Sequence, residues 1–575
     1  MPVFFIILFA LTLSACSFSN TPIPTNQQAM VVTANPHATQ AGLQVLQRGG
    51  SAADAAVAVQ AVLSLVEPQS SGLAGGAFMV YYNASTQAIT AYDGRERAPQ
   101  GVNEDMFINA DGKPMGFIDA KTSGLSTGVP GAVAMLSLAH TQQGTLPWNT
   151  LFSHAQMLAN DGFKVSERLH GMIAKFGKYI PSKSEEGPLD AFEYFFLENG
   201  EPLPVGHVLK NQAYAESLAL IAQDPDNFYQ GLLAEQIVDA VAQTPRPGTM
   251  TLDDLRQYRA GQAPALCQPY AKLTLCGPPP ASSWVAVAMT MGIIDQLPDF
   301  SAAGPNDPDN WIRFIETQRL AYSDRDQFIA DPEFVQLPLD GLLNPKYLRD
   351  RAQSITPAHA KQAIQAGNPW AYQTTPQLAA IGIDQTDDTP GTSHFVIVDK
   401  AGNVVSMTTS VESIFGSTRM AGGMFLNNQL TDFSFVAQDQ QGNPIANRIA
   451  PNKRPRSSMS PTIVLDEQGD FVMATGSPGG SNIIAYTAKS LIGVLEWGLT
   501  PQEAADLPNV VARNHVVRVE ANTQSESLIQ ALQKYGFNVD GSHGENSGLS
   551  IVYKDETGKL IGGVDKRREG TIASF

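Results

Sequence analysis

The chain has 575 residues, of which 43% are hydrophobic and 16% are charged, and its formal net charge at pH 7 is −18. This composition excludes an intrinsically disordered chain and indicates a globular protein with a substantial core. The acidic balance, with no block rich in Lys or Arg, excludes nucleic acid as a main partner because phosphate would be repelled. Length alone predicts three or four domains.

The first 16 residues indicate an export signal. Their apolar run, from Val3 to Leu13, is too short to span a bilayer as a permanent helix. The run ends in Leu-Ser-Ala-Cys16, which resembles a lipobox, so we expect Cys16 to be lipidated, although no Lys or Arg precedes the run. Ordinary signal cleavage beside an incidental cysteine is the alternative. Residues 17–28 then form a polar linker, and the expected location is periplasmic, with membrane contact only through the lipid anchor.

Helical patterns dominate the first part of the chain. Apolar residues recur every three to four positions between residues 35 and 69, and Gly49-Gly50 followed by Ser51 predicts the end of one helix and the start of another. A strand, a turn and a second strand then lead to a charged loop that contains Arg95. From about residue 131 to 365 the pattern is mostly helical, and Thr251 is expected to cap one of these helices.

Two cysteines remain after the leader, Cys267 and Cys276. The segment CQPYAKLTLC between them is interpreted as two short extended pieces, and an even number of cysteines in an exported chain permits a disulfide. Two buried thiols are the alternative, because the sequence does not give the Cα separation that a disulfide requires.

The character of the chain changes to strands from Thr392 onward. HFVIVD and VVSMTTS predict one hairpin, and PTIVLD and FVMATGSP predict another. Their apolar alternation is imperfect, which indicates strands that are buried on both faces. We therefore expect a layered architecture with helices outside and sheets inside.

Several familiar catalytic patterns are missing from the sequence or lie in the wrong context. The nine histidines are scattered, without HExxH or CxxC, so no metal site is predicted. Without a Walker A loop or GxGxxG, no cofactor is indicated. Residues 124–128, GLSTG, match the GxSxG elbow around Ser126, but a poor strand precedes them and Val-Pro-Gly delays the next helix. A Gly-rich turn is the preferred interpretation.

The stretch DDTPGTSHFVIVD places two hydroxyls, those of Thr392 and Ser393, at the start of a predicted strand. A Thr hydroxyl is a weak nucleophile until a base takes its proton, and its own α-amino group, with a pKa of about 8, is the nearest base. That amine exists only if the chain is cut between Gly391 and Thr392. Pro390 and the unshielded carbonyl of Gly391 suit such a cut. A purely structural turn is the alternative.

Three other loops contain groups suited to acyl chemistry. The GSPGGS loop presents unhindered backbone N–H groups, which could stabilise an oxyanion. KRPRSSMSPT places Ser457 and Ser458 just before a strand. FLNNQLTDFS contains Gln429 and Asp432 within an apolar segment, where buried polar groups need partners and a substrate can be one.

Together these loops resemble the γ-glutamyltransferase (γ-glutamyltranspeptidase) family of N-terminal-nucleophile hydrolases. The resemblance extends from about Asn35 to the C-terminus. It is carried by seven motifs in family order: ANPHATQAGLQVLQRGGSAADAAVA, VEPQSSGLAGGAF, DGRERAP, GTSHFVIVD, NNQLTDFS, PNKRPRSSMSPT and GSPGGSN. It implies an α+β fold, a four-layer αββα sandwich with a helical large-subunit portion. It also implies a proenzyme that cuts itself into a large subunit (29–391) and a small subunit (392–575), which remain together as one catalytic domain.

The resemblance further implies a role for each candidate residue. Thr392 would attack a γ-glutamyl amide such as that of glutathione, and the γ-glutamyl ester would pass to water or to an acceptor amine. The supporting groups would be the oxyanion donors Gly479 and Gly480, and Ser410, which stands where the family commonly has a Thr. The substrate-binding groups would be Arg95, Ser457 and Ser458 for the α-carboxylate, and Glu412 and Asp432, beside Gln429, for the α-ammonium.

Two departures from the family pattern bear on specificity. The segment FVAQDQQGNPIANRIA is shorter than the segment that acts as a lid in many members. The exclusion of water from the site sets the balance between hydrolysis and transfer, so this balance depends on the lid. Position 412 is Glu where many relatives carry Asn. A related acylase that acts on another acyl group, as cephalosporin acylases do, is therefore the first alternative. A lipid-anchored binding protein that has lost self-processing is the second.

Overall fold

The computed structural model describes residues 28–181, 190–298, 300, 304–356, 360, 362–386, 391–513, 516–521, 525–543 and 547–575. Cys16, the export signal and nearly all of the predicted linker lie outside the described residues, and so do residues 387–390 of the predicted cleavage loop. Within the described ranges, no helix has both the length and the apolar character needed to cross a lipid bilayer.

The strands are, in chain order, β1 (Met30–Thr33), β2 (Gly76–Asn83), β3 (Ala88–Gly94), β4 (Phe163–Lys164), β5 (Val208–Leu209), β6 (Gly261–Pro264), β7 (Leu266–Tyr270), β8 (Leu273–Gly277), β9 (Thr392–Val398), β10 (Val404–Ser410), β11 (Met420–Ala421), β12 (Met424–Phe425), β13 (Thr462–Leu465), β14 (Phe471–Gly476), β15 (Val510–Ala512), β16 (Val516–Glu520), β17 (Asn538–His543), β18 (Ser550–Lys554), β19 (Leu560–Val564) and β20 (Thr571–Ser574).

The helices are α1 (Pro36–Gln47), α2 (Ala52–Val66), α3 (Phe117–Lys121), α4 (Ala132–Gln143), α5 (Ser153–Asp161), α6 (Glu167–Phe176), α7 (Asp190–Phe195), α8 (Gln212–Gln223), α9 (Leu232–Ala242), α10 (Leu252–Gln257), α11 (Trp284–Ile294), α12 (Pro308–Phe328), α13 (Leu339–Leu342), α14 (Pro345–Gln353), α15 (Ile483–Leu491), α16 (Pro501–Asp506) and α17 (Glu526–Tyr535).

Two antiparallel sheets form the centre of the molecule. The larger has the strand order β20-β1-β9-β10-β2-β3-β6, and the second has the order β19-β18-β14-β13-β8-β7. Apolar side chains from both sheets meet between them, including Val32, Val396 and Ile463. Helix α2 packs on the outer face of the first sheet, and helices α11 and α15 pack on the outer face of the second. The predicted αββα sandwich is therefore confirmed.

Strand β9 shows why its sequence lacks a clean alternation. Phe395 and Ile397 pack into the helix-side core, whereas Val396 and Val398 pack into the core between the sheets. Since successive side chains of a strand point to opposite faces, both sets must be apolar when both faces are covered. All seven residues of β9 and of β10 are buried, as the sequence predicts.

The predicted helix boundaries agree with the structure at two caps. Helix α1 ends at Gln47, and Ser51 begins α2 in a capping box with Asp54. Thr251 caps α10 in the same way with Asp254. The interpretation of residues 131–365 as mostly helical is incomplete, because β7 and β8 lie there and complete the second sheet.

The hairpin of β7 and β8 contains both remaining cysteines. Cys267 and Cys276 are directly opposite each other in the ladder, and their Sγ atoms are 2.01 Å apart, at bonding distance. A directly opposed pair in an antiparallel hairpin brings two Cβ atoms close enough for a disulfide. Of the two alternatives, a disulfide and a pair of buried thiols, the structure therefore contains the disulfide.

Ser126 lies in a buried 3₁₀ turn, Gly124–Ser126, rather than on a strand-to-helix elbow. Its hydroxyl donates to the backbone carbonyls of Lys121 and Ser123, at 2.7 and 2.9 Å. These contacts are structural, so the GxSxG match is a turn.

Candidate active site

Four adjacent strands bring the main candidate residues into one row at an end of the larger sheet. Thr392 at the start of β9 pairs with Ser410 at the end of β10, and Ser410 pairs with Gly76 at the start of β2. Ala77 pairs with Gly94, so Arg95 follows directly beside Gly76. At about 4.8 Å per strand, the row from Thr392 to Arg95 is about 14 Å long, which a long Arg side chain and a small substrate can bridge.

The two hydroxyls at the start of β9 point to opposite faces of the sheet. Ser393 donates to Glu67 Oε2 at 2.9 Å on the helix side. Thr392 lies on the same face as Val396, toward the second sheet, and its Oγ1 donates to Ser410 Oγ at 3.2 Å. Because successive side chains of a strand point to opposite faces, the Thr392 hydroxyl faces the site and the Ser393 hydroxyl makes a buried structural contact.

Ser410 links the Thr392 hydroxyl to the peptide bond before it. Its Oγ accepts from Thr392 Oγ1 and from the backbone N–H of Glu412 (2.8 Å), and it donates to the carbonyl oxygen of Gly391 at 2.8 Å. The Ser410 hydrogen thus polarises the Gly391 carbonyl, while the same Ser410 oxygen accepts from the Thr392 hydroxyl. A Cβ on Gly391 would be 2.2 Å from the Glu412 carbonyl oxygen, so only glycine fits here.

Arg95 is buried and joins two candidate substrate-binding segments. Its Nη2 contacts Asp432 Oδ2 at 2.5 Å, and its guanidinium also donates to the carbonyls of Pro455 and Arg456, at 3.0 and 2.7 Å. Gln429 Nε2 donates to the same Asp432 oxygen at 2.6 Å. A guanidinium beside a carboxylate complements an α-amino-acid head group, whose carboxylate and ammonium share one carbon.

Glu96 is a residue of this site that the sequence analysis missed. It is fully buried, its Oε2 is 3.5 Å from Arg95 Nη1, and a Cβ on Gly76 would be 2.3 Å from that oxygen. Among the described residues, neither Glu96 oxygen has a hydrogen-bond donor. Burial raises the pKa of Glu96 to about 7, although Arg95 opposes the shift. Its position next to Arg95 in the DGRERAP motif is the sequence feature that could have identified it.

Ser457 and Ser458 lie directly after the two carbonyls that hold Arg95. Both are buried, and Ser458 Oγ accepts from Arg325 Nη2 at 2.6 Å, while Ser457 Oγ accepts from the backbone N–H of Met459 at 3.1 Å. The structure therefore places both residues at the Arg95 end of the row.

Gly479 and Gly480 lie between β14 and α15, where a 3₁₀ turn starts the helix. The two glycines have φ values of 140° and 59°. Within the described part of the chain, neither amide donates to a backbone carbonyl outside the helices and strands. The loop adjoins the nucleophile, since Pro478 and Arg568 both contact the position of a Cβ on Gly548, and Arg568 donates to the Thr392 carbonyl. Helix-start amides in this position can stabilise an oxyanion.

Glu412 has a left-handed backbone, with φ of 78°, directly after β10. Its Oε2 accepts from Ser413 Oγ and from Asn428 Nδ2. Lys121, which the sequence analysis also missed, is buried nearby and donates to the Ile414 carbonyl at 2.9 Å. Burial lowers the pKa of Lys121 to about 8, and the charge of Glu412 opposes this shift. Nothing in the sequence around Lys121 indicated this contact.

The segment between Asp432 and the PNKRP motif forms one wall of a cavity of about 660 Å³. Thr431 and Ser434, at the end of the Gln429–Asp432 turn, line it together with apolar side chains that include Met115, Phe435 and Ile445. This volume suits a small organic group. The cavity lies next to Asp432 through Thr431, but neither Asp432 nor Thr392 lines it.

An αββα sandwich in which a hydroxyl residue begins a central strand, facing the second sheet, defines the N-terminal-nucleophile hydrolase class. No cluster of three or more possible metal ligands occurs among the described residues. The chain belongs to the gamma-glutamyltranspeptidase family, whose model matches residues 38–575. The family and the enzyme class that the sequence predicts are confirmed.

The relatives cover nearly the whole chain. A glutathione hydrolase proenzyme of Bacillus subtilis (strain 168) is 33% identical over 554 residues, which are 95% of this chain and 92% of that protein. The glutathione hydrolase proenzyme of Escherichia coli (strain K12) is 34% identical over 560 residues, covering 94% and 90%.

Two solved structures have a fold similar to that of this chain. A cephalosporin acylase from Bacillus halodurans has a TM-score of 0.81 and covers 98% of this chain and 99% of its own, but at 24% identity it shows the fold alone. The Helicobacter pylori gamma-glutamyltranspeptidase is 27% identical, with a TM-score of 0.52 over 60% of this chain and 93% of its own.

Proposed function

We propose that the protein is a self-processing γ-glutamyl hydrolase and transferase. The chain would cut itself between Gly391 and Thr392, and the large subunit (29–391) and small subunit (392–575) would stay together as a heterodimer. The mature protein would cleave the γ-glutamyl amide of glutathione and related compounds. One observation carries this proposal: the Ser410 hydroxyl bridges the Thr392 hydroxyl and the carbonyl of the peptide bond to be cut.

The cut follows from an acyl shift. Thr392 Oγ1 attacks the Gly391 carbonyl carbon, the C–N bond breaks, and the hydroxyl proton ends on the released nitrogen. The hydrogen bond from Ser410 to the Gly391 oxygen stabilises the negative charge that develops there. Water then hydrolyses the ester, which leaves a Gly391 carboxylate and a free α-amine on Thr392.

The free amine then acts as the base in turnover. It takes the proton of the Thr392 hydroxyl while the oxygen attacks the γ-carbonyl of the substrate, and it returns the proton to the leaving amine. The amides of Gly479 and Gly480 would bind the oxyanion of the tetrahedral intermediate. Water or an acceptor amine resolves the γ-glutamyl ester.

Substrate recognition is assigned to the Arg95 end of the row. Arg95, with Ser457 and Ser458, would bind the α-carboxylate, because a guanidinium binds a carboxylate in bidentate geometry. Asp432 and Glu412 would bind the α-ammonium, with Gln429 orienting Asp432 through its 2.6 Å hydrogen bond.

The test is a comparison of Thr392→Ala with Ser393→Ala. The unsubstituted protein should give two bands of about 40 and 20 kDa on an SDS gel, at about 110 Da per residue, and should hydrolyse a γ-glutamyl anilide. Thr392→Ala should remain one chain without activity. Ser393→Ala, whose side chain faces away from the site, should still cut itself. An uncut but fully active protein would refute the mechanism.

We also propose that the protein is exported and lipidated on Cys16. The support is the leader sequence, with its short apolar run before Leu-Ser-Ala-Cys16. Radiolabelled palmitate should be incorporated into the natural protein and not into Cys16→Ser. Labelling of both proteins, or of neither, would refute the lipidation of Cys16.

A further inference from the structure

A cluster of buried charges lies beside the start of β9, outside the row described above. It consists of Glu67, Arg168 and Arg568, which we name the Thr392 brace. Arg168 Nη1 donates to Glu67 Oε1 at 2.9 Å, and Arg568 Nη1 is 4.0 Å from Glu67 Oε2. The exposed fractions of the three side chains are 1%, 11% and 6%. Three charges withdrawn from solvent in this way require a structural or functional reason.

The brace contacts the main chain and the neighbour of the nucleophile. Arg568 Nη1 donates to the backbone carbonyl of Thr392 at 2.7 Å, and Glu67 Oε2 accepts from the Ser393 hydroxyl. Arg568 Nε also donates to the Ser547 carbonyl at 3.2 Å. A Cβ on Gly548 would be 2.7 Å from Arg568 Cδ, so the path of this side chain requires a glycine there.

Three distant segments supply the brace. Glu67 is the C-cap of α2, Arg168 lies in the first turn of α6, and Arg568 lies between β19 and β20. Together they hold the first two residues of β9: Arg568 donates to the carbonyl of Thr392, and Glu67 accepts from the hydroxyl of Ser393.

The brace carries two positive charges and one negative charge. The amine of an N-terminal Thr392 would share a Cα with the carbonyl that Arg568 contacts, so the guanidinium would lie within about 5 Å of it. A net positive environment disfavours an ammonium ion and lowers the pKa of an amine.

Among the described residues, three carboxylates lie near this point. Asp565 Oδ2 accepts from the hydroxyl of Ser547, whose carbonyl Arg568 contacts. Glu412 follows β10, and Glu96 lies over Gly76. On the inter-sheet face, burial lowers the pKa of His394 to about 3, so it is neutral. The 476–483 loop carries no charge. Among the residues that the structure describes, Arg568 is the cation that directly contacts the main chain of Thr392.

We propose that Arg568, held by Glu67 and supported by Arg168, is a positioning residue that fixes the Thr392 main chain and keeps its released α-amine in the neutral, proton-accepting form. This inference rests on the proposed function, because the amine exists only after the chain is cut.

The test is the pH profile of kcat/KM for γ-glutamyl anilide hydrolysis by the processed protein. Arg568→Gln should move the acidic limb upward by about one pH unit, because the amine then holds its proton more tightly. Arg568→Lys should restore most of the unsubstituted profile, because it keeps the charge. Glu67→Gln should move the limb downward, since it leaves the two arginines unopposed.

A second measurement identifies the titrating group. Acetylation of the Thr392 α-amine by acetic anhydride across pH, read by mass spectrometry of the small-subunit N-terminus, should show the same shifts. This separates the amine from Glu96, whose pKa is also about 7. Arg256→Gln, which removes a charge that is 55% exposed on α10, is the matched control and should leave both profiles unchanged.

Loss of kcat at every pH with an unmoved limb in the Arg568 variants would show a purely structural role and would overturn the inference. If Arg568→Gln does not cut itself, Arg168→Gln and Glu67→Gln remain, because neither side chain contacts the Thr392 carbonyl. Unmoved limbs in both would again overturn it. Inactivity of the unsubstituted protein on γ-glutamyl substrates would instead refute the proposed function.

Discussion

The two ends of the layer between the sheets differ in chemistry although the same strands form both. At one end β9 and β10 contribute Val396, Val398 and Val404 to an apolar core. At the other end they contribute Thr392, Thr408 and Ser410, all buried. The apolar end holds the sheets together, and the polar end orients hydroxyl groups through ladder register.

His394 separates the two ends. Its ring is buried, its Nδ1 is 2.9 Å from Thr408 Oγ1, and a Cβ on Gly476 of the second sheet would be 2.4 Å from it. Burial lowers the pKa of the ring to about 3, so His394 is neutral. Changes at the apolar end should therefore mainly affect stability, while changes at the polar end should mainly affect chemistry.

The largest expected effect is on the polar side of this comparison. Arg95→Ala should lower kcat/KM for γ-glutamyl anilide about a thousandfold, on the order of 4 kcal/mol, because it removes the guanidinium that would bind the substrate α-carboxylate beside Asp432. A 4-aminobutyryl anilide, which lacks the α-carboxylate, should be affected much less.

Arg97→Ala is the matched control, since Arg97 pairs with the half-exposed Glu333 at 3.1 Å. Equal losses on both anilides would contradict the carboxylate-binding role of Arg95 and would favour an acylase that acts on another acyl group.

The apolar end should respond in stability alone. Ile463→Ala removes a fully buried side chain from the core between the sheets and should lower the free energy of unfolding by about 3 kcal/mol. Urea unfolding of the processed protein measures this. Self-cleavage and kcat per folded molecule should be unchanged. Impaired cleavage in this variant would show that the two ends are not separable.

The smallest expected effect concerns Glu96, whose pKa is raised by burial from 4.5 to about 7. The folded state therefore binds this proton more tightly than the unfolded state, and its contribution to stability is complete below pH 4.5 and lost as the pH rises through 7. The full difference is at most about 3 kcal/mol.

Glu96→Gln should remove this decline, which the difference in unfolding free energy between pH 5 and pH 7.5 measures. Glu104→Gln, at an exposed position, should keep it. An identical decline in Glu96→Gln and the unsubstituted protein would show that Glu96 is ionised throughout this range.

Much of the fold and part of the site could be predicted from local sequence. The hairpins after Thr392 and the caps at Ser51 and Thr251 follow from patterns of a few residues, and the structure has them. The brace and Lys121 could not be found in this way. Ser393 and Glu67 are 326 positions apart, and Arg95 and Asp432 are 337 apart, so their contacts depend on sheet order rather than on local pattern.

The residue types suited to the chemistry are visible in the sequence: a Thr after a Gly at the start of a buried strand, an Arg after a second strand, and a pair of glycines before a helix. That Thr392 rather than Ser393 faces the site, and that Arg95 lies in the same row, follows from the fold. The alternation of side chains along a strand is a local property. Which face of the strand meets the second sheet, and which strands lie beside it, depends on the burial of apolar surface across the whole chain.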